Sequence, residues 1–317
     1  MMRYLLADPA RLRRIGLGFG LVILVAVLTL VNQKPWTPES LSGLNPWVLR
    51  LGTALVLALM VMANIRALAF LPRAAQVWAV WAELFVLLMA FFWSFDLSFS
   101  FIARKIGFLI TQGVAMTLYI SALSILIATV IALVGAVAKM SKNGVIYGLA
   151  SFYTSLFRGL PLLMQIYIIY LGLPQVGYVI GAVPAGVLAL SLCYGAYMTE
   201  IFRAGIESIP RGQSEGATAL GLAPAQSMVL VILPQAMRII IPPVGNEFIG
   251  MVKMTSLASV IQYSELLYNA QNIYYANARV MELLIVAGIW YLATVTVLSF
   301  GQSRLERRFA RGAGKRS

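Results

Sequence analysis

Long apolar runs, separated by short stretches bearing polar residues, glycine and proline, set the pattern of this chain. Eight runs are read as membrane spans, near residues 15–31, 47–63, 76–95, 109–138, 159–173, 178–198, 238–262 and 281–301. A bilayer core takes about 20 helical residues to cross. In lipid each backbone amide and carbonyl must be satisfied within its own segment, which selects helices. Barrel strands would alternate apolar and polar positions, whereas these runs are continuous. The pattern predicts an all-α polytopic membrane protein of about eight transmembrane helices. The fourth run exceeds one crossing, so it tilts or projects beyond the bilayer. Embedded polar and helix-breaking residues divide the chain in two. Residues 1–100 hold three spans and few such residues, while residues 101–317 hold five spans and many, which places function in the second part.

Composition agrees. The 317 residues are 61% hydrophobic and 11% charged, about half the charge of a soluble domain. Histidine is absent and Cys193 is the single cysteine, so neither a His/Cys metal site nor a disulfide within the chain is expected. Cys193 lies in an apolar run and reads as a small packing residue. The acids are scattered singly, and no catalytic group is assigned.

The net charge of +13 would suggest nucleic acid in a soluble protein. Here its distribution sets topology instead. Lys34, Arg50, Arg104, Lys105 and Arg279 fall in outer loops, Lys253 falls within a span, and the other 18 Lys and Arg fall in inner loops or termini. The positive-inside rule then puts both termini in the cytoplasm and predicts no nucleic-acid partner. The stretch Arg11-Leu-Arg-Arg14 before an apolar run has the look of a signal peptide. No small-x-small cleavage site follows it, so it is read as a retained span. The basic tail from Arg304 to Arg316 reads as an anchor for membrane lipid headgroups.

One inner loop stands out. Ser208-Ile-Pro-Arg211 reads as a helix start, with Ser208 as the N-cap and Pro210 in the first turn. Glu215 suits the positive helix end, and Gly221 closes the helix. The predicted product, near 208–222, is a helix of two to three turns with Gly212, Gly216, Ala217 and Ala219 on its surface. Small side chains permit close approach by another protein. An ordinary interfacial helix would show large apolar residues along one face, and here only Leu220 and Leu222 are available.

Glu215-Gly-Ala217, Gly221 and Val231-Ile-Leu-Pro234 resemble the Glu-Ala-Ala…Gly…Ile-x-Leu-Pro loop of ABC importer permeases. Gly216 stands for the middle alanine and Val231 for the isoleucine. Further stretches narrow the resemblance to the polar amino-acid uptake family. They include Thr117-Leu-x-x-Ser121, Arg158-Gly-Leu-Pro161-Leu-Leu-x-Gln165, Tyr194-Gly-Ala-Tyr-x-x-Glu200-Ile-Phe-Arg203, Ile209-Pro-Arg-Gly-Gln213, Pro242-Pro-x-x-Asn246-Glu-Phe and Lys253-x-Thr-Ser-Leu257. Met254 replaces a carboxylate common in that family.

The resemblance covers about residues 105–305. It implies a five-helix permease core in the inner membrane of a bacterium, and a coupling helix seated in a groove of a separate ATPase. Arg211, Gly212, Glu215, Gly216, Ala217 and Gly221 are the coupling residues so implied. The expected partners are an ABC ATPase subunit dimer, a second permease subunit, identical or homologous, and an extracytoplasmic amino-acid-binding protein. No cofactor is expected in this chain, and ATP and Mg are expected in the partner ATPase. The activity implied is transport of a polar amino acid rather than an enzyme reaction. The other classes weighed are an ion-driven carrier, which should show paired internal repeats, and a membrane-embedded transferase.

Within the spans, Asn246, Glu247, Lys253, Thr255 and Ser256, with Gln165 and Tyr167, are candidates for a substrate pathway. The bland reading makes them inter-helix hydrogen bonds. An unpaired ammonium such as that of Lys253 costs at least about 2.5 kcal/mol in a bilayer centre, so it needs a partner, a cavity or the interface. Arg158, Gly159 and Pro161 read as a structural or gate element, with Glu200 or Glu207 as possible salt-bridge partners of Arg158. Glu83 reads as a helix-bonded carboxylate.

Overall fold

The computed structural model describes residues 46–93, 95 and 97–310. The predicted span at 15–31 and the end of the basic tail lie outside the described residues. All regular structure among the described residues is helical. The chain divides into two compact units, Met1–Asp96 and Leu97–Ser317.

In the first unit, α1 (Pro46–Ala69) and α2 (Arg73–Trp93) form an antiparallel pair. The turn between them carries Pro72, and Gln76 Nε2 closes it by donating to Leu71 O at 2.8 Å. A side-chain hydrogen bond crosses the pair, from Asn64 Nδ2 to Glu83 Oε2 at 2.9 Å. Leucine, valine, phenylalanine and tryptophan side chains cover the outside of both helices.

The second unit begins with α3 (Phe99–Lys139), which runs 41 residues and starts ten residues before the predicted span. At 1.5 Å per residue it is about 60 Å long, twice the ~30 Å hydrocarbon thickness. α4 (Gly144–Gly159) and α5 (Leu162–Gln175) follow, bent by 107° at the break between them. The fifth predicted span, 159–173, begins at this break and corresponds to α5, while α4 lies outside the eight predicted spans. Pro161 lacks an amide proton and disfavours helical backbone at the residue before it. Leu160 accordingly sits at φ −92°, ψ 136°. α6 (Ala182–Glu207) is the most deeply buried span.

After α6 come the short α7 (Arg211–Ala219), the long α8 (Pro224–Ile261), α9 (Leu266–Asn277) and α10 (Val280–Ala310). α8 contains a π turn at Met228–Ile232, the internal prolines Pro242 and Pro243, and a 3₁₀ ending at Thr255–Ile261. The π turn ends two residues before Pro234, and the π turn in α5 (Ile168–Gly172) ends two residues before Pro174. In both places the missing proline amide interrupts the regular ladder.

Five helices among the described residues are long and apolar enough to cross a membrane, or six if the bent pair counts as one span. The count of eight expected from the sequence is therefore not confirmed. One span lies outside the described residues, one is short (its apolar part is Ala54–Ala69), and one belongs to the bent pair.

The core of the second unit is built on small residues. Ala128, Ala132 and Ala136 of α3 are buried in the same core as Ala185, Ala189 and Cys193 of α6. Gly135 lies so close to Thr199 that a Cβ there would meet its Oγ1 and Cγ2. Such spacing lets membrane helices approach until backbones touch, where dispersion replaces the absent hydrophobic drive.

Candidate functional site

α7 is the most polar helix of the second unit, and its ends depart from expectation. Ser208 does not cap it. Its hydroxyl donates to Gly205 O at 2.7 Å, finishing α6 instead, and Pro210 occupies the N-cap without a side-chain bond. The fixed φ of Pro210 and its hold on Ile209 terminate one helix and pre-set the next. The C-terminal expectation is met. Gly221 takes φ +79°, its amide reaches Thr218 O at 2.9 Å, and the Leu222 amide reaches Ala217 O at 3.1 Å. That is the Schellman pattern, which glycine adopts without a Cβ penalty.

The 100° advance per residue sorts the faces of α7. Gly212, Glu215, Gly216 and Ala219 share one exposed face at i, i+3, i+4 and i+7. Gln213 and Ala217 share another. Ala217 is 3% exposed, which corrects its placement on the open surface; it packs inward, where α7 lies against the π turn of α8. Gln213 Oε1 accepts from Gln235 Nε2 at 3.0 Å, and Gln235 Nε2 also donates to Val231 O at 2.9 Å. α7 is thus bolted to the start of α8 on one side and bare on the other. Arg211 and Gly212 are exposed on its first turn.

A charged cluster closes the same end of α6. Glu200 Oε1 pairs with Lys139 Nζ of α3 and lies 3.9 Å from Arg158 Nη1 of α4; Glu200 Oε2 accepts from Arg203 Nε at 3.0 Å. Arg203 Nη1 also reaches Glu207 Oε2 at 2.6 Å. The guanidinium of Arg158 stands 5.3 Å from the Tyr197 ring centre. Arg158 thus meets Glu200, one of the two partners read from the sequence. Sequence reasoning passed over Lys139, whose contact with Glu200 spans 61 positions and leaves no local signal.

The candidate pathway residues separate into two groups. Gln165 and Thr255 are closed. Gln165 is 2% exposed, and its Nε2 donates to Phe157 O at 2.8 Å and Leu160 O at 2.9 Å. It brackets the Gly159–Pro161 bend, holding carbonyls that the break leaves free. Thr255 is fully buried and donates to Val252 O at 2.8 Å. At these two positions the side chains are spent on backbone carbonyls, as the hydrogen-bonding alternative expects. Tyr167, Asn246 and Lys253 are exposed, while Glu247 and Ser256 are partly buried; the Ser256 hydroxyl bonds Lys253 O at 2.7 Å. Among the described residues no carboxylate lies within ion-pair distance of Lys253. Among them, too, no three His, Cys, Asp or Glu side chains gather to hold a metal ion.

A polar knot at the other end of α8 was not foreseen. Glu265 is fully buried and caps α9, accepting from the amides of Leu267 at 2.9 Å and Tyr268 at 2.7 Å. Tyr291 of α10 donates its hydroxyl to the same carboxylate. The Leu266 amide donates to Thr117 Oγ1 of α3 at 3.1 Å. Burial, only partly offset by the bonds from Tyr291 and the α9 amides, raises the Glu265 pKa above its ordinary value. The one sequence signal was an acid directly before an apolar helix.

The model of the family described as "Binding-protein-dependent transport system inner membrane component" matches residues 129–311. The arginine transport system permease protein ArtQ of Bacillus subtilis is 38% identical over 214 residues, covering 67% of this chain and 97% of that protein. The L-cystine transport system permease protein TcyB of the same organism is 38% identical over 208 residues, covering 65% of this chain and 89% of that protein. Among solved structures, a crystal structure of an amino acid ABC transporter with histidines aligns at TM-score 0.64 and 37% identity, covering 68% of this chain and all of that one. The inward-facing MetNI methionine ABC transporter shares the fold at TM-score 0.55 and 23% identity, covering 64% of this chain and 96% of that one.

Proposed function

From the premise that this chain belongs to the family of binding-protein-dependent transport system inner membrane components, we propose that it moves a polar amino acid inward, driven by an ATPase seated on α7. The chain is a multi-pass inner-membrane permease subunit of an ABC importer, not an enzyme. ATP and Mg belong to the ATPase dimer. A second permease, identical or homologous, completes the conduit, and an extracytoplasmic binding protein delivers the solute. Both termini and α7 lie on the cytoplasmic side, as the basic residues of the inner loops require.

One observation carries this reading: the bare face of α7. Gly212, Glu215, Gly216 and Ala219 stand exposed on a helix whose opposite face is fixed to α8 through Gln213 and Gln235. A lipid-lying helix would turn large apolar groups outward. A helix that receives a push needs a surface open to the motor and a rigid link behind it. Asn246 and Lys253, seven positions apart on α8, are both exposed, and with Glu247, Ser256 and Tyr167 they are the residues assigned to the path. Lys253 complements the carboxylate of an amino acid, and Glu247 its ammonium.

The test is uptake by the complex reconstituted in vesicles, with ATP inside or withheld, against a panel of acidic, basic and amide amino acids. ATP-dependent uptake of one class is expected. Glu215→Arg, which sets a large cation on the bare face, should abolish uptake and ATPase co-purification while leaving membrane insertion intact. Uptake that needs only an ion gradient, with no ATPase bound, would overturn the proposal.

A further inference from the structure

Glu200 stands where the inner ends of three helices meet, and it divides its two oxygens between two tasks. Oε2 accepts from Arg203 within α6 at 3.0 Å. Oε1 faces outward to Lys139, in the last turn of α3, and to Arg158 Nη1, in the last turn of α4, at 3.9 Å. Lys139 extends the bridge by donating to Thr154 Oγ1 of α4 at 3.2 Å. The Lys139 and Glu200 side chains are 12% and 19% exposed, so their attraction is screened far less than that of a surface pair. Three residues separate Glu207 from the start of α7 at Arg211, so a movement of α7 is passed to the end of α6 that carries Glu200.

The helices joined here differ in how else they are held. α3 and α6 are already locked by the close packing of Ala128, Ala132, Gly135 and Ala136 along their length. α4 is more openly placed. Val145, Leu149, Phe152 and Leu156 on it are exposed, and Tyr153 links its middle to α6 through Leu192 O at 2.7 Å. At the inner ends the link between α4 and α6 runs through the Glu200 cluster.

We propose that Glu200 is a positioning residue for the transport stroke, tying the inner ends of α3 and α4 to α6 so that a push on α7 moves all three as one body. The proposal rests on α7 being the ATPase-docking helix.

The experiment compares ATP hydrolysis with amino-acid uptake in vesicles holding the full complex, for the native chain and for Glu200→Gln, Glu200→Asp and Arg158→Gln. Glu200→Gln should keep the ATPase bound and hydrolysing, while uptake per ATP falls about tenfold, the size of a typical coupling between sites. Glu200→Asp should recover much of the ratio, and Arg158→Gln should lower it less, in the same direction. An unchanged ratio in Glu200→Gln overturns the proposal. So does a parallel loss of hydrolysis and uptake with a lowered melting temperature, which would make the cluster a plain staple. If Glu200→Gln fails to assemble, Arg158→Gln decides, because Arg158 is 44% exposed and touches only the Tyr197 ring beside Glu200; an unchanged ratio there overturns the proposal. A native complex without bound ATPase would strike instead at the α7 reading on which this one stands.

Discussion

Among the described residues, the helices of the first unit and the long spans of the second are both apolar but differently built. α1 and α2 present large side chains outward and are linked by a side-chain hydrogen bond between Asn64 and Glu83. The second unit hides alanine, glycine, serine and threonine between its helices and gives its embedded polar groups partners on other elements, as with Ser191 to Ser124 O at 3.3 Å and Tyr153 to Leu192 O at 2.7 Å. Hydropathy alone makes a span. Small residues at contact points and cross-helix polar pairs make a span that is held in one place, and the docking helix and charged cluster depend on that fixity.

The sharpest way to break this contrast is to enlarge Gly135. Gly135→Leu forces a side chain into Thr199 and should cost about 3 kcal/mol or more. The expected reading is loss of assembled complex in detergent, while Leu57→Ala on the exposed face of α1 leaves assembly unchanged. Equal tolerance at both sites would erase the distinction between the units.

A smaller effect is expected at Glu265. Glu265→Ala removes a helix cap and should lower stability by about 1–2 kcal/mol. Its pH dependence has a definite sign. The folded pKa is raised above the ordinary value of 4.5, so the fold favours the protonated acid. That contribution is full below 4.5 and is lost as pH rises through the folded value. Melting temperature should therefore fall with rising pH across that window, and Glu265→Gln should flatten the slope. A slope of opposite sign would mean that the bonds from Tyr291 and the α9 amides outweigh burial.

The smallest effect belongs to the first unit. Asn64→Ala should cost about 0.6 kcal/mol, the average for a hydrogen bond between membrane helices, and uptake should be unchanged. A transport defect there would assign the first unit a role that its loose construction does not suggest.

These contrasts track what the sequence made readable. Apolar runs announced helices, and Pro210 and Gly221 bracketed α7, because both signals are local backbone chemistry. Ser208 was assigned to the wrong helix because the same hydroxyl serves to finish α6. Ala217 was set on the surface because the exposed face follows from where α8 packs, which one helix cannot disclose. The bend at Gly159–Pro161 is marked by its own residues and the fifth apolar run begins there, but α4 before it lies outside the runs read as spans. Glu265 and Lys139 were missed because their environments are made by elements far along the chain: Tyr291 lies 26 positions from Glu265, and Glu200 lies 61 from Lys139.

The π turn at Met228–Ile232 acts as a phase setter for everything downstream in α8. One extra residue wound into a single turn offsets all later positions by about 100° of azimuth from an unbroken wheel. Deleting one residue there would leave the composition, length and hydropathy of the segment almost untouched. Because the lost residue and the lost extra winding cancel, Asn246, Glu247 and Lys253 would keep their azimuth, whereas the same deletion in the regular helix just after Pro234 would re-aim all three by about 100°.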